Sequence, residues 1–153
     1  MSGLSHVNDR GEARMVDVAE REVTVRTAVA TGVVRTQAAD AISAGRVAKG
    51  DVLATARIAG IMAAKRTPEL LPMCHPIAIH GITVDLTVDE MTVRITATVR
   101  TADRTGVEME ALTAVSVAAL TIVDMTKSLD PAATITDIRV QTKSGGRSGD
   151  WTR

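Results

Sequence analysis

The amino-acid sequence predicts an α+β fold of the ferredoxin-like type, one antiparallel sheet with its helices packed on a single face. Three observations predict it. Ile82, Val84, Leu86 and Val88 alternate strictly with polar residues, and Val93, Ile95, Ala97 and Val99 do the same shortly after, as neighbouring antiparallel strands with one face in a core would. Residues 105–108, Thr-Gly-Val-Glu, read as a capping box opening a helix of about twenty residues that ends near Ser128. The succession strand, helix pair, strand, strand, helix, strand is the split βαβ order, which puts helices on one face of an antiparallel sheet.

In chain order, residues 1–20 show no hydrophobic period and read as an arm. Val23, Val25, Thr27 and Val29 alternate with Thr24, Arg26, Ala28 and Ala30 as in a strand, and Gly32 is placed to break or bulge it. Residues 37–46 suit a short helix ending near Gly45. Asp51 is a good N-cap for a second helix running to about Arg66 and stopped by Thr67-Pro68. Its small residues Ala56, Ala59, Gly60 and Ala63 form a stripe that a neighbouring element can approach closely, the kind of surface that invites subunit packing. The strands over 82–88 and 93–99 form a hairpin through Asp89-Glu90. A last strand over 135–142 precedes a Gly-rich tail, 143–153, and the whole of 1–153 reads as a single domain.

Composition narrows the function. With 153 residues, 45% apolar and 24% charged, the chain is long enough for one core and too apolar for a disordered segment. Formal charge is zero, so nothing pulls it generally toward nucleic acid or anionic membrane. With no Phe, no Tyr and only Trp151, it lacks the stacking surface of a sheet that binds single strands. The charge-free part of the long helix, 111–123, contains Thr113, Ser116 and Thr121 and is too short and polar to span a bilayer. No basic-then-apolar leader is visible, and a single cysteine, Cys74, suits a reducing cytoplasm. These features predict a cytoplasmic protein with neither nucleic-acid nor membrane partners.

Three stretches attract chemistry. Leu-Pro-Met-Cys-His-Pro, 71–76, brackets Cys74 and His75 with prolines that stiffen the backbone. It is either a presented histidine or an ordinary connector. One Cys and three scattered His make a poor metal set, so no metal site is expected. On the long helix, Asp124 and Lys127 are spaced i, i+3, as an acid/base pair or a plain surface ion pair. Glu110 lies fourteen residues before Asp124, on the same face but about 21 Å away, so no small molecule touches both within one chain. Lys143-Ser144-Gly145-Gly146-Arg147 offers cations and exposed amides to an anion, or is a frayed end, and Lys49 precedes a helix start. Lysine is scarce: Lys49, Lys65, Lys127 and Lys143 stand among 18 basic residues. Each is therefore a place to look for a tuned proton-transfer group.

KGDVLATARIAGIMAAKRTPELLPMCHPI, TGVEMEALTAVSVAALTIVDMTK and KSGGRSGDW, in this order and spacing, together with the opening HVNDRGEARMVDV, resemble the cyclic pyranopterin monophosphate synthase family of molybdenum cofactor biosynthesis over nearly the whole chain. The resemblance implies a lyase that converts 3′,8-cyclo-7,8-dihydro-GTP to cyclic pyranopterin monophosphate with release of diphosphate. It implies homohexamers, built as trimers of dimers, with the site at the dimer interface. It places Asp124, Lys127 and Lys49 as catalytic groups, and Met73, Cys74, His75, Met109, Glu110 and Lys143 around the substrate. Arg147 and Arg26 join them as candidate cations for the phosphoryl groups. No cofactor is required, although Mg2+ is compatible with the triphosphate. Val123 and Thr126 stand where the family commonly has an aromatic residue and a cysteine, a change in packing more than in chemistry. The competing expectation is a non-catalytic nucleotide-binding regulatory oligomer on the same fold.

Overall fold

A computed structural model describes residues 5–153; residues 1–4 of the predicted arm lie outside the described residues. The elements are β1 (Thr24–Arg35), α1 (Ala39–Ser43), α2 (Val52–Lys65), α3 (Thr67–Leu70), β2 (Gly81–Val88), β3 (Thr92–Asp103), α4 (Glu108–Thr126), β4 (Thr134–Ser144) and β5 (Trp151–Thr152). Among the described residues the strands form one sheet in the order β2-β3-β1-β4-β5, every neighbouring pair antiparallel. The fold is the expected ferredoxin-like α+β arrangement, with a short fifth strand added at the β4 edge.

Helix α4 lies over β1, β3 and β4, and α2 runs beside it over β2. The core between them is built from small groups. Ala111, Ala114, Ala118 and Ala119 of α4 face Ala28 and Ala30 of β1 and Ala97 of β3, with Ile95, Val99, Val115 and Ile122 filling the remaining space. The buried face of β1 is thus the alanine set, whereas Val23 and Val25 are exposed. Alternation identifies a strand without saying which set turns inward, and here the close approach of α4 decides it. A Cβ on Gly32 would lie 2.6 Å from Val115 Cγ1. Gly32 does not break the strand. β1 pairs with β3 without interruption, and the register shifts against β4 at Val29/Ala30 and Thr31/Val33.

The small-residue stripe of α2 is used inside the chain. Ala56, Gly60 and Ala63 are buried, and a Cβ on Gly60 would sit 3.0 Å from the Ala114 carbonyl of α4. The stripe therefore gives no support to subunit packing. Asp51 caps α2 as expected, accepting from the Ala54 amide at 3.0 Å. Pro68 opens a separate turn of helix, α3, with Pro at its first positions. The β2–β3 turn falls one residue later than expected: the Asp89 amide donates to the Thr92 carbonyl at 2.8 Å, leaving Glu90-Met91 as the loop.

Two expectations at the helix and chain ends are corrected. There is no capping box: Val107 is the N-cap of α4, no side chain caps it, and Glu108 is the first helical residue. The Glu108 carboxylate folds back over Gly106 and lies 3.6 Å from Lys143 Nζ. Nor does a tail begin at 143. Lys143 and Ser144 belong to β4, and the chain turns through a glycine loop so that Trp151 pairs back onto Lys143. By length and apolarity alone α4 is able to cross a membrane, but it is the core helix, with its alanine face buried on the sheet. The arm also has local order: Asn8 Oδ1 accepts from the amides of Arg10 and Glu12, closing a small loop bridged at Val7 and Ala13.

Replacing Gly32 with Val forces methyl groups into Val115 and Ile138. Thermal or urea unfolding of Gly32→Val is expected to show a loss of about 1–3 kcal/mol, the usual cost of overpacking. Wild-type stability in that variant would show that α4 has room to shift.

Candidate active site

The predicted site residues fall into two clusters at opposite ends of α4. At its N-terminal end, Met109 and Glu110 meet Met73, Cys74 and His75 of the 71–79 connector around a cavity of about 260 Å3. The connector is folded by a turn in which the Cys74 amide donates to the Leu71 carbonyl at 3.0 Å. The arm supplies the opposite wall through Val16 and Val18, joined by Arg21 just beyond it. His75 Nε2 bonds the Val16 carbonyl. A carbonyl only accepts, so Nε2 is the donor in this bond.

Glu110 is 2% exposed, and its Oε2 has no hydrogen-bond partner. Burial raises its pKa to about 7, helped by the charge of Glu108 and opposed by its own backbone amide. It is a carboxyl group poised to be neutral near physiological pH. Cys74 is pushed up from the ordinary thiol range, first by burial and then by Glu110 and Glu108, so it is a thiol here and not an activated nucleophile.

An adjoining cleft of about 210 Å3 shares Arg21, Thr105, Gly106 and Glu108 with that cavity and adds Arg26, Lys143 and the glycine loop. Arg26 is anchored by donating Nε to the Asp103 carbonyl and Nη2 to the Arg104 carbonyl, each at 3.3 Å. The loop closes on it through Gly145 and Gly146, both at positive φ. A Cβ on Gly145 would strike the Val25 carbonyl at 2.1 Å, and one on Gly146 would strike Arg26 Nη1 at 2.1 Å. Only glycine lets the backbone approach so closely. Arg147 lines a further cavity with Arg26 and Gly146. The result is a cationic recess suited to phosphoryl oxygens.

At the far end of α4, Asp124 accepts from Lys127 Nζ at 2.8 Å. Lys49 reaches in from the connection between α1 and α2, with Nζ 3.0 Å from the Asp124 carbonyl oxygen and 3.5 Å from Oδ2. All three side chains are about half exposed. The Lys127 hydrogen bond and charge, followed by Lys49, hold the Asp124 carboxyl below the usual range. Lys49 thus sits with Asp124 and Lys127, the groups it is expected to join, and Lys143 sits at the other end. Sequence reading passed over Arg21, which lines both cavities at the N-terminal end; it lies just past an arm without period, where no pattern marks it. Glu108, expected to cap α4, instead faces Lys143.

A model of the MoaC family matches residues 15–146. The chain belongs to the MoaC family. Relatives named cyclic pyranopterin monophosphate synthase come from Streptomyces coelicolor, 60% identical over 98% of this chain and 89% of the relative, and from Mycobacterium tuberculosis, 62% identical over 98% and 91%. A third, from Roseiflexus, is 57% identical over 99% of this chain and 98% of its own length. The matched MoaC family segment contains Lys49, the 71–76 connector, α4 and Lys143, and its last residue is Gly146, one before Arg147.

Burial keeps Glu110 protonated up to about pH 7, whereas an unfolded glutamate releases its proton near 4.5. Between those values the folded state holds the extra proton. The stability that neutral Glu110 contributes is therefore complete below about 4.5, declines as pH rises and is gone above about 7. The full difference is on the order of 3 kcal/mol. Urea unfolding at pH 5 and pH 8 is expected to show wild type losing about 2 kcal/mol more than Glu110→Gln. The same pH dependence in both proteins would mean that Glu110 is ionised in the folded state.

Proposed function

We propose that this chain is a cyclic pyranopterin monophosphate synthase, a lyase converting 3′,8-cyclo-7,8-dihydro-GTP to cyclic pyranopterin monophosphate and diphosphate in molybdenum cofactor biosynthesis. The observation that carries the reading is identity of about 60% over nearly the full chain with proteins of that name. A purely regulatory nucleotide-binding role is not favoured, because these relatives are named as enzymes.

In this reading the pterin and sugar lie between the 71–76 connector and Glu110, and the triphosphate enters the Arg26, Lys143 and Arg147 recess. Opening the five-membered ring and closing the pyrazine ring require successive proton transfers. Asp124 and the two lysines bound to it supply a base and two acids within hydrogen-bond reach of one another. In the phosphoryl step a sugar hydroxyl attacks the α-phosphorus and loses its proton while the bond to diphosphate breaks. Fixed cations stabilise the charge that gathers on the phosphoryl oxygens. Among the described residues no group of three His, Cys, Asp or Glu is placed to hold a metal, so we assign Mg2+ only to the triphosphate oxygens.

The two clusters stand about 21 Å apart along α4. We therefore assign the site to two subunits related by a dyad, and the resemblance to the cyclic pyranopterin monophosphate synthase family supports placing that dimer in a homohexamer built as a trimer of dimers. The free thiol of Cys74 supports a cytoplasmic location.

Incubation with the cyclic dihydro-GTP substrate should release diphosphate and, after oxidation, a fluorescent pterin. Asp124→Asn and Lys127→Ala should each abolish turnover without unfolding the protein, since an exposed ion pair adds little stability. Mixing inactive His75→Ala with inactive Lys127→Ala under subunit exchange should restore part of the activity, because each mixed dimer keeps one intact composite site. Verified mixed dimers that stay inactive would overturn the shared site.

A further inference from the structure

We infer that Asp130 is a positioning residue for the Lys49, Asp124 and Lys127 cluster, tying the entry of α1 to the end of α4 and so setting the connection from which Lys49 reaches Asp124. Asp130 is 7% exposed. Its Oδ2 accepts from Thr36 Oγ1 at 2.9 Å and from the Gln37 amide at 2.8 Å, and its Oδ1 accepts from the Ala132 amide at 3.1 Å. Thr36 Oγ1 in turn accepts from the Ala38 amide at 3.0 Å, so the tether continues into the first turn of α1. On its own side, Asp130 is held in register with α4 by its amide, which donates to the Thr126 carbonyl at 3.0 Å.

The connection needs such a tether. α1 is five residues long and buries only Ala39 and Ile42. After it the chain turns through Gly45, buries Val47 and reaches Asp51, the cap of α2. Lys49 projects from this span. The α2 end is fixed by the Asp51 cap and by packing of α2 on α4. The α1 end is fixed to α4 by Asp130. A carboxylate suits the task because both of its oxygens accept, and the Gln37 amide and Thr36 hydroxyl keep it ionised. Asparagine would satisfy only one of the two sides.

This inference rests on the assignment of Lys49, Asp124 and Lys127 as proton-transfer groups, and the test separates the two ideas. The intact oligomer is labelled briefly with acetic anhydride, and each of the four lysines is followed by mass spectrometry, with Lys65 as the internal reference. In Asp130→Ala, Lys49 should be acetylated about threefold faster than in wild type, because its ammonium is freed from the Asp124 carbonyl and carboxylate that now hold it. Lys65 should be unchanged. The kcat should fall about tenfold with little change in KM, because misplaced groups slow the chemistry and leave binding intact. Asp130→Asn and Thr36→Val should give smaller changes in the same order, which keeps the test open if Asp130→Ala fails to fold. Wild-type labelling of Lys49 in these folded variants would overturn the inference, as would equal acceleration at all four lysines. Faster labelling of Lys49 with unchanged kcat would support the tether and overturn the catalytic assignment.

Discussion

The structure depends on the burial of one face of α4 against the small residues of β1, Ala28, Ala30 and Gly32. A helix can lie this close to β1 only where Ala28, Ala30 and Gly32 leave room. Once seated, it is held along most of its 19 residues. Its ends are then rigid and about 27 Å apart. Every functional group follows from that placement. The N-terminal end meets the 71–79 connector and the glycine loop after β4, and the C-terminal end meets the approach to α2. A looser core would blur the distance between the two clusters, and with it any match between subunits.

The same constraint explains the choice of small residues elsewhere. α2 must lie beside α4 to present Asp51 and hence the Lys49 span, and Gly60 against the Ala114 carbonyl permits it. The chain contains no Phe or Tyr. Its core stability comes from close contact between many small groups, so single added methyls matter more here than single deletions.

Much of this is legible in the sequence where one pattern has one physical meaning. Strict alternation over 82–99 marks two strands whose inner faces are plainly the apolar sets, and Asp51 ahead of an alanine-rich run marks a capped helix. Legibility fails where local chemistry allows two outcomes. In β1 both sets mix apolar and polar residues, and only the seating of α4 makes the alanines face inward. Thr105 and Glu108 have capping-box spacing, but the lysine that draws Glu108 aside comes from a strand 35 residues later. Of the site, the residue types are readable, as is the adjacency of Asp124 and Lys127 on one helix, whereas the contacts between distant segments are not. Lys49 and Lys143 are equivalent in sequence and lie at opposite ends of one helix. Asp130 makes long-range hydrogen bonds to residues more than 90 positions away, and no local pattern records them.

The helix dipole gives the two ends different electrostatic tasks. The N-terminal end of α4 favours anions, and the cationic recess lies there. A buried carboxylate beside bound phosphates would repel them, yet Glu110 avoids this because desolvation outweighs both the dipole and its backbone amide and favours the neutral form. Glu108, the other acid, is screened by Lys143. At the C-terminal end the dipole disfavours an anion, and Asp124 is nevertheless ionised because two ammonium groups flank it. The two ends are thus tuned in opposite directions, toward the neutral acid at Glu110 and toward the ionised one at Asp124.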